Sequence, residues 1–198
     1  MAIMTQQRIE RLVTTWLNEA LAVQRRLHAS GTGEIAAIAG EIVATFGRGG
    51  KLMLFGNGGS AADAQHIATE FTARFRLDRP ALPALSLSTD TSALTAIGND
   101  FAFEQVFARQ VAALGRPGDL AIGISTSGNS PNVLAGVAEA RTRGIATVGF
   151  CGAGGALPAA VDLCFRAPAD GPSHIQEAHL AAWHAICDAV ERVLFEEE

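Results

Sequence analysis

The chain has 198 residues, of which 48% are hydrophobic and 18% charged, and its formal net charge is −5 at pH 7. This length suits one structural unit with a sizeable core better than two. The acidic balance, without a cluster of Lys and Arg, argues against a nucleic-acid partner. No stretch is apolar for long enough to span a membrane, and the N-terminus lacks a secretory leader pattern, so we expect a soluble, cytoplasmic protein.

The first quarter of the chain has helical periodicity. Apolar residues recur at helical spacing in two sets between Gln6 and about Phe46, and a Ser-Gly-Thr-Gly stretch at 30–33 separates the sets. We predict two helices over an N-terminal helical region, residues 1–50, whose use is packing on the core or against a partner subunit.

From Lys51 onward, short apolar runs alternate with helical patterns. The predicted strands cover residues 51–55, 82–87, 120–125, 145–150 and 163–167. The predicted helices cover residues 61–75, 91–97, 104–114, 132–143 and 175–194. Runs that are apolar on both faces and separated by helices indicate a parallel sheet covered on both sides. We therefore predict an α/β fold, with a doubly wound, mainly parallel five-stranded sheet over residues 51–198, joined to the N-terminal helices as one structural unit.

The three cysteines do not indicate a disulfide framework or a zinc knuckle. Cys151, Cys164 and Cys187 are odd in number and widely spaced. We expect them to be reduced and mostly buried rather than catalytic.

A glycine-rich turn, Gly56-Asn57-Gly58-Gly59-Ser60, follows the first predicted strand. Without Cβ atoms its N–H groups can approach a ligand closely, and the helix that follows favours an anion at its N-terminus. His66 and Glu70 stand four residues apart on that helix, so they project from one face. The alternative is a plain surface turn followed by a solvated i,i+4 pair, which stabilises a helix by only about 0.2–0.5 kcal/mol.

A hydroxyl-rich turn follows the third predicted strand. Ser125-Thr126-Ser127-Gly128-Asn129-Ser130 offers three consecutive hydroxyls, a glycine and a fourth hydroxyl at a helix start. These donors suit a phosphate group. The alternative is helix capping by Ser130, but a cap needs only one hydroxyl, so we favour phosphate.

The two turns, together with further motifs, resemble the sugar isomerase (SIS) family and, within it, the phosphoheptose isomerases. The similarity extends from about residue 51 to 194 and includes several separated motifs in matching order. These further motifs are Asp63-Ala64-Gln65-His66 with Glu70, Arg74, Gly98-Asn99-Asp100, and Ile175-Gln176-Glu177-Ala178-His179 with His184.

The resemblance implies a homotetramer with active sites between subunits, which interconverts D-sedoheptulose 7-phosphate and D-glycero-D-manno-heptose 7-phosphate for surface-glycan precursors such as those of lipopolysaccharide. It implies one Zn²⁺ per subunit, held by His66, Glu70, Gln176 and His184. It implies that the phosphate is bound by Ser125, Thr126, Ser127 and Ser130. The other substrate-binding residues would be Asn57, Gly58, Gly59, Ser60, Asp63, Glu70, Arg74, Asn99, Asp100 and Gln176.

Aldose–ketose isomerisation moves a proton between adjacent carbons, so it needs a base that faces both carbons and an acid that serves the oxygens. We assign Glu70 as the catalytic base acting through an enediol, with His184 as its partner in ring opening and in proton transfer at oxygen. Zinc would either polarise the carbonyl or mainly organise the site.

One spacing needs an explanation. Gln176 and His184 are eight residues apart, which is about 12 Å along a continuous helix. Both reach one metal only if their side chains lean together, if the helix begins after Gln176, or if one of them comes from another subunit.

Three other positions have two interpretations each, and one stretch departs from the family pattern. His179 is more readily a satisfied helix histidine than a group behind the metal ligands. Asp63 either complements the helix dipole or faces the sugar, and Arg74 either contacts substrate or complements the helix end. Ser173-His174 departs from the family pattern, which puts the local substrate contacts in doubt.

Two other functions compete with the isomerase. One is a non-catalytic SIS-fold regulator, which associates with a replication initiator or senses a phosphosugar. The other is an isomerase or lyase of another sugar phosphate, since loops set the chain length. The presence of His66, Glu70, Gln176 and His184 favours catalysis.

Overall fold

The computed structural model describes residues 2–196. Met1, Glu197 and Glu198, which fall within the predicted regions 1–50 and 51–198, lie outside the described residues.

Five parallel strands form one sheet in the order β2-β1-β3-β4-β5. The central strands are buried on both faces, as their uninterrupted apolar runs predicted. The doubly wound α/β fold is confirmed. The strands are β1 (Leu52–Gly56), β2 (Ala84–Ser86), β3 (Leu120–Ile124), β4 (Ala146–Cys151) and β5 (Leu163–Arg166).

Helices cover both faces of this sheet. One core cluster packs β-strand residues such as Leu54 and Ile122 against α2, α3 and α8, and the other packs residues such as Met53 and Phe55 against α5 and α6. The helices are α1 (Ala2–Ser30), α2 (Thr32–Gly47), α3 (Gly59–Thr72), α4 (Thr91–Asp100), α5 (Val106–Leu114), α6 (Pro131–Thr142), α7 (Leu157–Ala160) and α8 (Pro172–Phe195).

Element ends differ from the sequence prediction by a few residues. The edge strand β2 is three residues long instead of six, because prolines at 80 and 83, which lack an N–H, precede it. Helix α3 begins at Gly59 rather than at residue 61, since the turn itself supplies its first hydrogen bond, from the Ser60 N–H to the Asn57 carbonyl. The short α7 carries too few residues to show a periodicity.

The register of the sheet places the two predicted turns side by side. Gly56, the last residue of β1, pairs with Ile124, the last residue of β3. The glycine-rich turn and the hydroxyl-rich turn therefore leave adjacent strands at the carboxyl edge of the sheet, where ligands bind in doubly wound folds.

Candidate active site

The glycine-rich turn is shaped by Gly58 and Gly59. Gly58 has φ of +56°, a backbone conformation that favours glycine. A Cβ built on Gly59 would stand 2.3 Å from Nε2 of Gln176, so the amide of Gln176 lies directly on this glycine. The N-terminus of α3 is thereby joined to the first turns of α8.

The hydroxyl-rich turn brings three side-chain hydroxyls together, with that of Ser125 in the middle. Oγ of Ser125 lies 2.8 Å from Oγ of Ser130 and 3.4 Å from Oγ of Ser127. Ser130 is the N-cap residue of α6, yet its side chain makes no capping hydrogen bond. The geometry therefore does not support Ser130 as a helix cap. Its hydroxyl contacts that of Ser125 within the turn instead. Thr126, the fourth hydroxyl residue of the turn, is partly exposed.

His66, Glu70 and His184 come together between α3 and α8. Nε2 of His66 lies 3.2 Å from Nε2 of His184 and 3.4 Å from Oε1 of Glu70. Two imidazole nitrogens that face each other at this distance share one proton or one cation, because two N–H groups would repel and two lone pairs would be unpaired.

The spacing of these donors also suits a metal. A tetrahedral zinc with Zn–N bonds of about 2.0–2.1 Å holds its ligand atoms about 3.3–3.4 Å apart. Among residues 2–196, no three or more His, Cys, Asp or Glu side chains are arranged so that together they could hold a metal ion. The two distances from His66 match two edges of such a tetrahedron, so these two contacts fit a zinc ion.

Gln176 stands apart from these three side chains. Helix α8 is continuous from Pro172 to Phe195, so it does not begin after Gln176, and that explanation of the spacing is wrong. Gln176 lies beside Gly59, seven residues before His66 on α3, which is about 10 Å along the helix axis. Leaning side chains and a contribution from another subunit are the two explanations that stay open.

Asp63 has a buried carboxyl oxygen near the site. Its Oδ2 has no hydrogen-bond partner among the described residues. Burial raises the pKa of Asp63, although the nearby His66 acts to lower it. An unpaired acceptor near His66 suits a sugar hydroxyl better than a role confined to the helix dipole.

The remaining predicted site residues are not gathered with this group. The amide of Asn99 donates to Asp100, and both are exposed at the end of α4. Arg74 is exposed after the end of α3, 3.5 Å from Asp78. Ser60 is buried at the start of α3, where its N–H donates to the carbonyl of Asn57.

The two other histidines of α8 face away from the site. His179 is buried and donates from Nε2 to the carbonyl of Cys151 at 3.1 Å, but its Nδ1 has no hydrogen-bond partner among the described residues, so it is only partly satisfied. The ring of His174 packs against Trp16 of α1, with ring centroids 4.2 Å apart and an interplanar angle of 32°, and its Nδ1 lies 2.8 Å from Oε2 of Glu177. The unusual Ser173-His174 pair thus places its histidine against α1.

Three residues near the site were missed by sequence reasoning. The side chain of Asn132 hydrogen-bonds Asn57, and Arg79 and Glu191 form a buried ion pair below Glu70. The sequence could have indicated the role of Glu191. It follows Cys187 by four residues on the apolar face of α8, where a buried carboxylate needs a partner.

Comparison with known proteins gives consistent matches. The family model described as SIS domain matches residues 15–152. The phosphoheptose isomerase of Roseiflexus sp. (strain RS-1) is 56% identical over 188 residues, covering 94% of this chain and 95% of that one. The phosphoheptose isomerase of Solidesulfovibrio magneticus is 50% identical over 186 residues, covering 94% and 91%.

Solved structures show the same likeness. The phosphoheptose isomerase GmhA from Neisseria gonorrhoeae has a TM-score of 0.88 at 38% identity, covering 92% of this chain and 98% of that one. A phosphoheptose isomerase from Francisella tularensis has a TM-score of 0.89 at 34% identity, covering 92% and 97%. The chain therefore belongs to the SIS domain family and, within it, to the phosphoheptose isomerases.

Proposed function

We propose that this protein is an aldose–ketose isomerase that interconverts D-sedoheptulose 7-phosphate and D-glycero-D-manno-heptose 7-phosphate. The observation that carries the proposal is the group formed by Glu70, His66 and His184, with 3.2 Å and 3.4 Å between its donor atoms. His66 and Glu70 of this group lie on helix α3, which begins at the glycine-rich turn beside the hydroxyl-rich turn, and His184 lies on α8. A phosphosugar-sensing regulator needs the hydroxyls but not a carboxylate and a histidine in contact, so that alternative is not favoured.

In the direction of aldose formation, Glu70 takes a proton from C1 of the open-chain ketose. The electron pair left at C1 forms the C1–C2 double bond of an enediol, and the carbonyl oxygen at C2 gains a proton from His184. Glu70 then returns its proton to C2, while His184 takes up the O1 proton as the C1 carbonyl forms, so both side chains end in their starting protonation states. The carboxylate must face both carbons, which a side chain at the end of α3 can do from one position.

The hydroxyl-rich turn binds the phosphate. The hydroxyl of Ser125 lies within hydrogen-bond distance of those of Ser127 and Ser130, and each of the three hydroxyls can rotate to donate to a phosphate oxygen. The N-terminus of α6 adds its unpaired N–H groups and dipole. Thr126, together with Asn57, Gly58, Gly59 and Ser60 of the neighbouring turn, completes this part of the proposed site.

One Zn²⁺ per subunit belongs to the proposal, with His66, Glu70 and His184 as ligands and Gln176 as the fourth. Bound there, zinc would polarise the substrate carbonyl or hold the ligands in place. The sugar hydroxyls are assigned to Asp63, Arg74, Asn99 and Asp100. Because the last three are exposed and apart from the group, they fit a site that lies between subunits.

A homotetramer is part of the same proposal. Six apolar residues of α1 are 44–61% exposed, and they recur at helical spacing: Ile9, Leu12, Val13, Trp16, Leu17 and Leu21. An exposed apolar stripe of this length is typical of a subunit interface. Gel filtration with light scattering tests the assembly. A confirmed monomer that binds zinc and turns over normally would contradict sites between subunits.

A cytoplasmic location is also proposed. Cys151, Cys164 and Cys187 are free thiols, as expected in a reducing compartment. Among the described residues, no helix combines the length and the apolar character needed to cross a bilayer.

The deciding experiment measures conversion of D-sedoheptulose 7-phosphate by the purified chain, with zinc removed and with zinc added. We expect turnover in the wild type and its loss in Glu70→Gln and His184→Ala. Glu139→Gln serves as the control, since Glu139 pairs with Arg143 at the C-terminal end of α6, the opposite end from the hydroxyl-rich turn. Binding of the sugar phosphate without turnover at every zinc level would favour the regulator instead.

A further inference from the structure

A buried ion pair lies directly behind the proposed catalytic group. Nε of Arg79 is 2.9 Å from Oε1 of Glu191, and the two side chains are only 2% and 3% exposed. Burying two charges is costly unless they are paired and fully hydrogen-bonded, so a pair of this kind calls for an account of its remaining donors and acceptors.

The carboxylate of Glu191 holds the segment that follows α3. Oε1 accepts from the N–H of Phe75, and Oε2 accepts from the N–H groups of Arg76 and Leu77, at 2.7–3.0 Å. Burial acts to raise the pKa of Glu191, but these three N–H groups and Arg79 outweigh it and lower the pKa. The group is therefore a fixed anion around which the chain turns.

The guanidinium of Arg79 caps the end of α3. Nη2 donates to the carbonyl of Glu70 and Nη1 donates to the carbonyl of Phe71, both at 2.8 Å. These carbonyls belong to the last turn of α3, where they lack partners within the helix and where a cation complements the dipole. The backbone carbonyl of Glu70, the proposed base, is thus held by a hydrogen bond from Arg79.

The same pair also reaches the other proposed catalytic side chain. The ring of Phe75, whose N–H is bound by Glu191, lies 5.6 Å from the His184 ring at an interplanar angle of 30°. Glu191 itself stands on α8, seven residues after His184. The end of α3 that carries Glu70 and the part of α8 that carries His184 are therefore joined through one pair of charges.

We propose that Arg79 and Glu191 are positioning residues that set the distance and orientation between Glu70 and His184 for the isomerisation. Their burial excludes direct contact with substrate, so they act through the Glu70 carbonyl and through Phe75. This inference rests on the proposed function, because it assigns Glu70 and His184 to one reaction.

The test uses Glu191→Gln, which keeps the shape of the side chain but removes its charge, and Arg79→Lys, which keeps a charge but loses the planar fork of donors. The matched controls are Asp188→Asn and Arg76→Lys. Asp188 and Arg76 form an ion pair between the same two segments, 3.1 Å apart, but at the surface and without contact to the Glu70 carbonyl.

We expect kcat to fall about 10- to 100-fold in Glu191→Gln and Arg79→Lys, with KM within about threefold of the wild type. The pH profile of kcat should change in both, and the controls should match the wild type in both respects. A role in stability alone would lower the melting temperature and leave kcat and the pH profile of the folded enzyme unchanged. That result would overturn the inference.

A second readout does not need turnover. The imidazole proton resonances of His66 and His184, assigned by substitution, should move in folded Glu191→Gln and stay in place in Asp188→Asn. Unmoved resonances would refute the positioning role whether or not the protein is active. Moved resonances in a chain that lacks isomerase activity would uphold the positioning of the two side chains and refute only the proposed reaction.

Discussion

The side-chain amides of Asn57 and Asn132 exchange two hydrogen bonds of 2.8 Å, each donating to the other's oxygen. Asn57 belongs to the glycine-rich turn and Asn132 to the first turn of α6, and Asn132 is buried. The reciprocal pair fixes the two proposed ligand-binding turns to each other. The family resemblance implies that Asn57 binds substrate. In the structure its side chain also hydrogen-bonds another residue of the protein, Asn132.

Removal of Asn132 should loosen both turns. Asn132→Ala leaves the amide of Asn57 unpaired in a half-buried place, which costs about 1–3 kcal/mol of unfolding free energy. We expect a lower midpoint in urea and a raised KM for the sugar phosphate. Asn18→Ala, at an exposed position on α1, is the control. Equal stability of Asn132→Ala and the control would mean that water replaces the lost partner.

Ser130 should contribute to phosphate affinity but little to stability, because its side chain makes no cap bond to α6. A hydrogen bond to a charged group is worth about 1.5–3 kcal/mol, so Ser130→Ala should raise KM about 10- to 150-fold. Inorganic phosphate should inhibit the variant correspondingly less. Ser30→Ala, which removes an exposed hydroxyl bonded to Arg26, is the control. A normal KM with a lower melting temperature would instead indicate a capping role.

The sheet and its two turns were predictable because their causes are local. An apolar run such as Leu52–Gly56 is buried on both faces, and the turns that follow β1 and β3 consist of glycines and hydroxyls whose conformations and donors are intrinsic to the residues. Adjacent strands in a parallel sheet then bring the turns together without further information.

The positions of Gln176 and Arg79 were not predictable, because they depend on how helices pack. Gln176 touches Gly59 only because α8 runs beside α3, and no spacing within either helix reports that contact. Arg79 looks like an ordinary surface cation in the sequence. It is buried because Glu191, 112 residues later, meets it from another element. When two charges pair over a long distance in the chain, the only trace in the sequence is a charged residue on an otherwise apolar helix face.

Gly59 should be needed for the position of Gln176 rather than for folding. Gly59→Ala places a methyl group where the Gln176 amide now lies, and the amide must move away. The backbone tolerates alanine there, since Gly59 does not have a positive φ and the three atoms nearest the new methyl group all belong to the end of the Gln176 side chain. We expect normal stability but weaker zinc binding and lower kcat/KM.

Two comparisons make the Gly59 result specific. Gly40→Ala lies in α2 with no atom within 4 Å of the new methyl group, so it should retain full activity. Gln176→Ala should resemble Gly59→Ala, and the double variant should lose no more than either single one, because both remove the same contact. Additive losses would show that Gly59 acts independently of Gln176.

Buried His179 should make the protein less stable in mild acid. Burial lowers the pKa of His179 to about 4, against the smaller raising effect of its bond to the Cys151 carbonyl. In the unfolded chain a histidine titrates near pH 6.5, so the unfolded state gains a proton first as the pH falls. The contribution of His179 to stability is therefore complete above about pH 6.5 and decreases toward pH 4, by about 3 kcal/mol at most.

The variant His179→Gln isolates this effect, because glutamine does not titrate and can still donate to the Cys151 carbonyl. Its unfolding free energy should be lower than that of the wild type at pH 7.5, and the difference should shrink between pH 6.5 and 4.5 as the wild type loses stability. His28→Gln, at an exposed position near the end of α1, should keep the wild-type dependence. A constant difference between His179→Gln and the wild type across this range would mean that His179 takes up its proton in the folded state, and that the core around Phe150 admits water to solvate it.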